Sequence, residues 1–158
     1  MNKRREAGGQ MQISFGMIFS IILIIVFIVF AIYGITKFLC ISKIAQVEKF
    51  KSDFQEDIDS MWKSTQGSER VEYFIPKKIE QVCFKNRINP KTLKDENMYF
   101  VPEKFSCDIS TAYILDNVDI AKTVAGLTGR KLCIDNSNGK ISMTIKKAFN
   151  ENLVTITK

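Results

Sequence analysis

Phe19-Ser20-Ile21-Ile22-Leu23-Ile24-Ile25-Val26-Phe27-Ile28-Val29-Phe30 is the centre of a 24-residue stretch, Ile13 to Thr36, that carries no charged side chain. Sixteen of its residues are Leu, Ile, Val or Phe, and each favours insertion by about 0.3–0.6 kcal/mol near the middle of a bilayer. As a helix the stretch would reach roughly 36 Å, enough to cross a hydrocarbon layer of about 30 Å with some tilt. Ser14, Ser20 and Thr36 cost little there, because hydroxyls bond back to helix carbonyls. A cleaved secretory signal is the competing reading, and it calls for an apolar core of about 7–15 residues followed by a small-x-small site. The core here is longer and ends in Tyr33-Gly34-Ile35-Thr36-Lys37-Phe38-Leu39-Cys40, which offers no such site. The expectation is one retained transmembrane helix over residues 13–36, with the lipid bilayer as its partner.

The flanks orient it. Lys3, Arg4 and Arg5 precede the span, opposed only by Glu6, whereas Lys37, Lys43, Lys49 and Lys51 follow it among Glu48, Asp53, Glu56, Asp57 and Asp59. The compact N-terminal cluster places residues 1–12 in the cytoplasm as a basic leader and the C-terminal domain outside. Residues 41–158 hold 19 Lys and Arg against 16 Asp and Glu, a net of +3 (19 − 16). No basic run interleaves with aromatics, so nucleic-acid binding is not expected.

No Pro or Gly interrupts Ile35 to Gln66, and Gly67-Ser68 would end the helix. Over residues 37–66, Ile44, Val47, Phe54, Ile58 and Met61 share one helical face, with Phe50 and Trp62 beside them. That stripe would be covered either by the protein's own sheet or by a coiled coil with other copies; own-sheet packing is favoured, since Lys51 falls on the seam.

Residues 67–158 read as an antiparallel-sheet domain. Val71–Ile75 stops at Pro76, Ile79–Phe84 is the next strand, and Met98–Val101 is a short strand closed by Pro102. Lys131–Asp135 and Lys140–Lys146 flank Asn136-Ser137-Asn138-Gly139, where Asn-Gly suits a tight turn. With Leu153–Thr157 they form an expected three-strand meander, and Asp119–Val124 reads as a short helix. The fold class is therefore α+β: a long N-terminal transmembrane and amphipathic helix packed on a small antiparallel sheet.

Cys83 and Cys133 each lie mid-strand between apolar neighbours, and an oxidising exterior would join them. Cys40, at the membrane boundary, reads as a buried apolar residue or a lipidation position, and Cys107 has no assigned role. With no C-x-x-C and no histidine in the chain, no metal or redox motif is supported. The same lack excludes Ser-His-Asp and Cys-His catalysis. Ala125–Lys131 lacks phosphate-loop spacing, and a calcium loop starting at Asp135 would place Lys146 where a bidentate Glu belongs. No enzyme, cofactor, metal or small-molecule substrate is expected.

Lys3-Arg4-Arg5, Gly8-Gly9-Gln10 and Gln12-Ile13-Ser14, followed by the apolar helix and its amphipathic continuation, resemble the front end of archaeal type IV pilin-like proteins with a class III signal peptide. The resemblance implies leader cleavage between Gly9 and Gln10, a helix that bundles with its neighbours', and a filament or filament-associated role. Gly16 stands where many family members carry an acidic residue. Gly16 and Ser20 form one small-x-x-x-small step for helix association in the bilayer. A monomeric single-pass ectodomain, acting as a binding or structural part of an envelope complex, is the alternative. Protease added to intact cells should degrade residues 41–158; full protection, with the envelope permeable to the protease, would reverse the orientation.

Overall fold

The structure, a computed structural model, describes residues 15–88, 95–103, 107 and 110–158. One long helix, α1 (Phe15–Lys63), leads into small antiparallel sheets, an α+β fold. The strands are β1 (Gly67–Phe74), β2 (Gln81–Ile88), β3 (Asp95–Val101), β4 (Ala112–Tyr113), β5 (Leu132–Asp135), β6 (Lys140–Lys147) and β7 (Thr155–Thr157). A one-turn helix, α2 (Ile120–Thr123), lies between β4 and β5, where the sequence places a short helix. The chain divides into two compact units, residues 1–39 and residues 40–158.

In the first unit every described residue is helical and exposed. In the second, β1-β6-β7 form one sheet and β4-β3-β2-β5 the other, with antiparallel pairing within both. Residues 40–63 of α1 bury Val47, Phe50, Phe54, Ile58 and Met61. The stripe is covered by the protein's own strands. Phe50 lies 5.3 Å from Tyr73 of the first sheet and 6.0 Å from Phe100 of the second, while Phe54 lies 5.5 Å from Tyr73 and 6.0 Å from Phe84. Ile44 is half-buried, and Trp62, expected in this core, is 40% exposed with its indole N–H donating to the Asn152 carbonyl.

The helix ends at Lys63, three residues before Gln66. Helix carbonyls at a C-terminus lack intrahelical donors. Here Ser64 Oγ donates to the Met61 carbonyl, and Lys147 Nζ, from β6, donates to the Trp62 and Ser64 carbonyls. A cation at this end also suits the helix dipole. The sequence gives no hint of a cap that arrives from 83 residues away.

The expected meander is corrected. Ser137 and Lys140 do make a tight antiparallel bridge, with Asn138 and Gly139 at positive φ of 57° and 93°. Beyond it, however, β5 joins β2 in one sheet and β6 joins β1 and β7 in the other. Asn136 holds the parting point: its amide donates to the Pro76 and Ile79 carbonyls, and its Oδ1 accepts from Gly139 N. Leu132 and Ile134 from β5 and Ile141, Met143 and Ile145 from β6 thus reach the same core from two sheets. A single wet-faced sheet and two such sheets share the same alternation of residues, so patterning alone does not separate them.

Phe54 is fully buried and touches aromatic rings of both sheets. Phe54→Ala should destabilise residues 40–158 by about 3–5 kcal/mol, as for other large core truncations. Chemical denaturation of that fragment measures it, and a loss under about 0.5 kcal/mol would mean that the aromatic contacts do not carry the core.

Candidate functional site

The feature of the first unit that invites a function is its uncovered apolar surface. Phe15, Phe27, Phe30 and Phe38 are 84%, 70%, 74% and 70% exposed, and no residue from 15 to 39 is buried. This is the one segment among the described residues long and apolar enough to cross a membrane, by length and composition. Water would leave such a surface strongly unfavourable at about 25 cal/mol per Å². Within it, Ser20 Oγ donates to the Gly16 carbonyl at 2.8 Å and Thr36 Oγ1 to the Tyr33 carbonyl at 2.8 Å. These bonds satisfy the hydroxyls internally. The Gly16–Ser20 step is exposed on the helix, and Gly9 and Gln10 lie outside the described residues.

Two disulfides brace the second unit. Cys83 and Cys133 are register partners on β2 and β5 and are bonded, with Cα atoms 4.1 Å apart. Cys40 is bonded to Cys107, with Cα atoms 5.6 Å apart. The burial or lipidation role read for Cys40 is thereby corrected: the residue is half-buried and its sulfur is committed to Cys107. Its partner comes 67 residues later from a segment without strand periodicity, so the sequence carries no spacing signal for the pair. On the chain-entropy model, closing such loops removes about 4 kcal/mol of freedom from the unfolded chain per bridge.

Polar chemistry in this unit is mostly ion pairing. Glu96 is 8% exposed and pairs with Arg87, which also meets Glu103 at 2.6 Å and stacks 4.4 Å from the Tyr99 ring centroid. Burial acts to lower the Arg87 pKa, but Glu103 and Glu96 outweigh it and hold the guanidinium above its ordinary value. Lys158 and Gln81 bond the Asp135 carboxylate and hold it below the usual range. A groove of about 810 Å³ runs between α1 and the Ile114–Asp116 segment and is lined by Glu48, Lys51, Gln55, Asp59 and Lys63 among others. It is open, mixed in charge and lacks a buried reactive group. Among the described residues, no three His, Cys, Asp or Glu side chains come together as metal ligands.

Tyr73 and Tyr113 lie at the helix–sheet contact. Burial pushes the Tyr73 phenol well above its ordinary range, helped by the 2.5 Å bond it donates to Asp57 and by that carboxylate's charge. Burial, followed by the charge of Glu48, pushes Tyr113 up to about 12.

No protein-family model matches this chain, and neither do the curated proteins or the solved structures.

Two outcomes follow from these contacts. Non-reducing peptide mapping should recover two linked pairs, Cys40–Cys107 and Cys83–Cys133, and no free thiol; alkylation of any of the four in protein from its native host would contradict the pairing. Alkali provides the second. A phenol whose folded pKa is raised contributes stability that is complete below about pH 10 and is lost as pH climbs toward the folded value. Denaturation midpoints of residues 40–158 should therefore fall from about pH 10 upward, and Tyr73→Phe should flatten that fall. An identical alkaline slope in the variant would exclude Tyr73 as its source.

Proposed function

We propose that this chain is a non-enzymatic, membrane-anchored cell-surface protein, a pilin-like filament subunit or filament-associated subunit of the archaeal type IV kind. The observation that carries the reading is the apolar helix surface of residues 15–39, none of it covered by the protein's own chain. Lipid covers such a surface, and in a filament neighbouring helices do. The N-terminus lies in the cytoplasm and residues 40–158 outside, where two disulfides are at home. The basic leader, Gly9-Gln10 and Gln12-Ile13-Ser14 supply the family likeness.

One observation favours the alternative of a solitary anchored ectodomain. Val47, Phe50, Phe54, Ile58 and Met61 are buried within the chain's own fold, which leaves no apolar stripe on this part of α1 for other copies. Any self-association is then confined to the first unit, where Gly16 and Ser20 allow close backbone approach. Gly16→Ile should reduce crosslinked multimers in membranes without unfolding the outer domain. A wild-type protein wholly monomeric in mild detergent would instead select the solitary ectodomain. N-terminal mass mapping of the membrane-extracted protein decides the family likeness: a mature chain beginning at Gln10 supports it, and an intact Met1 start removes it.

A further inference from the structure

Asn138 and Gly139 hold φ of 57° and 93°, in the left-handed region that few residue types adopt without strain. Gly139 carries a second constraint. A Cβ there would meet the Ile75 carbonyl oxygen at 3.3 Å and the Lys77 side chain at 3.4 Å. The turn between β5 and β6 is thus bound to an Asn-Gly pair. That pair is chemically labile.

A glycine backbone nitrogen, unhindered by a side chain, can attack the side-chain carbonyl carbon of the asparagine before it. The N–H proton passes to solvent base and is returned to the departing nitrogen. A bond from Gly139 N to Asn138 Cγ forms, the Cγ–Nδ2 bond breaks and ammonia leaves, which closes a succinimide ring. Water then opens the ring at one of its two carbonyl–nitrogen bonds. Opening at Cγ gives aspartate. Opening at the backbone carbonyl gives isoaspartate, whose main chain runs through Cβ and Cγ.

In the folded domain the nucleophile is occupied. Gly139 is buried, its N–H donates to Asn136 Oδ1 at 2.7 Å, and its carbonyl accepts from Ile75 N at 2.9 Å. Asn136 is fixed in turn. Its amide donates to the Ile79 carbonyl at 2.6 Å and the Pro76 carbonyl at 3.1 Å, and its backbone N–H donates to Glu80 at 2.8 Å. Asn138 itself is exposed, so water and base reach its side chain. What the fold withholds is the Gly139 nitrogen.

We infer that Asn138 is a modification site, converted to aspartate or isoaspartate through a succinimide with Gly139, and that Asn136 is the lock that keeps it closed. The consequence reaches beyond the turn. Isoaspartate adds a methylene to the main chain inside a tight turn, closed by Ser137 N to the Lys140 carbonyl at 2.8 Å and Lys140 N to the Ser137 carbonyl at 3.1 Å. This is the point where β5 leaves for one sheet and β6 for the other, so conversion makes a transient opening there permanent. The site is a one-way record of local unfolding.

The test incubates the full chain in mild detergent at mildly alkaline pH and reads Asn138 conversion by peptide mass spectrometry. Amide hydrogen exchange on the same samples follows Gly139 at the turn and Met143, buried within β6. Conversion in the native chain should be slower than in the same chain unfolded in urea by about tenfold or more, and Asn136→Ala should recover about tenfold of that while Met143 exchange stays slow. No conversion in urea would overturn the modification site. Native conversion as fast as in urea, or Asn136→Ala with faster Gly139 exchange and unchanged conversion, would overturn the lock. If Asn136→Ala also frees Met143, the wild-type chain in sub-denaturing urea decides. Conversion that rises with Gly139 exchange ahead of Met143 supports the lock, and conversion that rises only with Met143 overturns it.

Discussion

Phe50 and Phe54 hold residues 40–158 together. Two rings one helical turn apart, stacked 5.7 Å from each other, wedge between a three-stranded and a four-stranded sheet that share no ladder of their own. Tyr73 closes on the wedge from one sheet, and Phe84 and Phe100 close on it from the other. Small sheets of this size are marginal unless a face is covered. Here the amphipathic part of α1 covers both, and without it neither sheet would have a complete core.

The other devices of the domain secure what the wedge begins. Lys147 caps the carbonyl end of α1 from the last residue of β6, and Asn136 fixes the point where β5 and β6 part. Cys83–Cys133 fastens β5 to β2, while Cys40–Cys107 ties the loop beyond β3 to the start of the unit. Each device joins segments far apart in sequence, and each is a polar or covalent link rather than added apolar area. That division suits a domain with a modest core.

Much of this was legible from residue order. The charge-free run, the helical stripe through Val47, Phe54, Ile58 and Met61, and the alternation in Lys140–Lys146 follow from single-element periodicities of 3.6 and 2. The Asn138-Gly139 turn was legible for a similar reason, since positive φ selects those residues. What periodicity does not encode is which sheet a strand joins. Leu132 and Ile134 alternate as they would in a meander, yet β5 crosses to β2, so the three-strand reading fails at that point. Trp62 sits on the edge of the stripe, and its indole N–H found a carbonyl at the surface, which leaves it partly exposed. Cys107 gave no local sign of Cys40, because a disulfide depends on proximity that only the tertiary fold creates.

The central claim is that one helix meets two surroundings: lipid around its apolar first part and the protein's own sheets along the remainder. Because all four native cysteines are bonded, single cysteines introduced along α1 would be the only reactive thiols in the chain. A membrane-impermeant maleimide applied to intact cells reads their surroundings directly. The account predicts no labelling at positions such as Ile22, Val26 or Phe30 and ready labelling at exposed positions such as Gln46 or Glu56. Uniform labelling from Ile22 through Glu56 would contradict it.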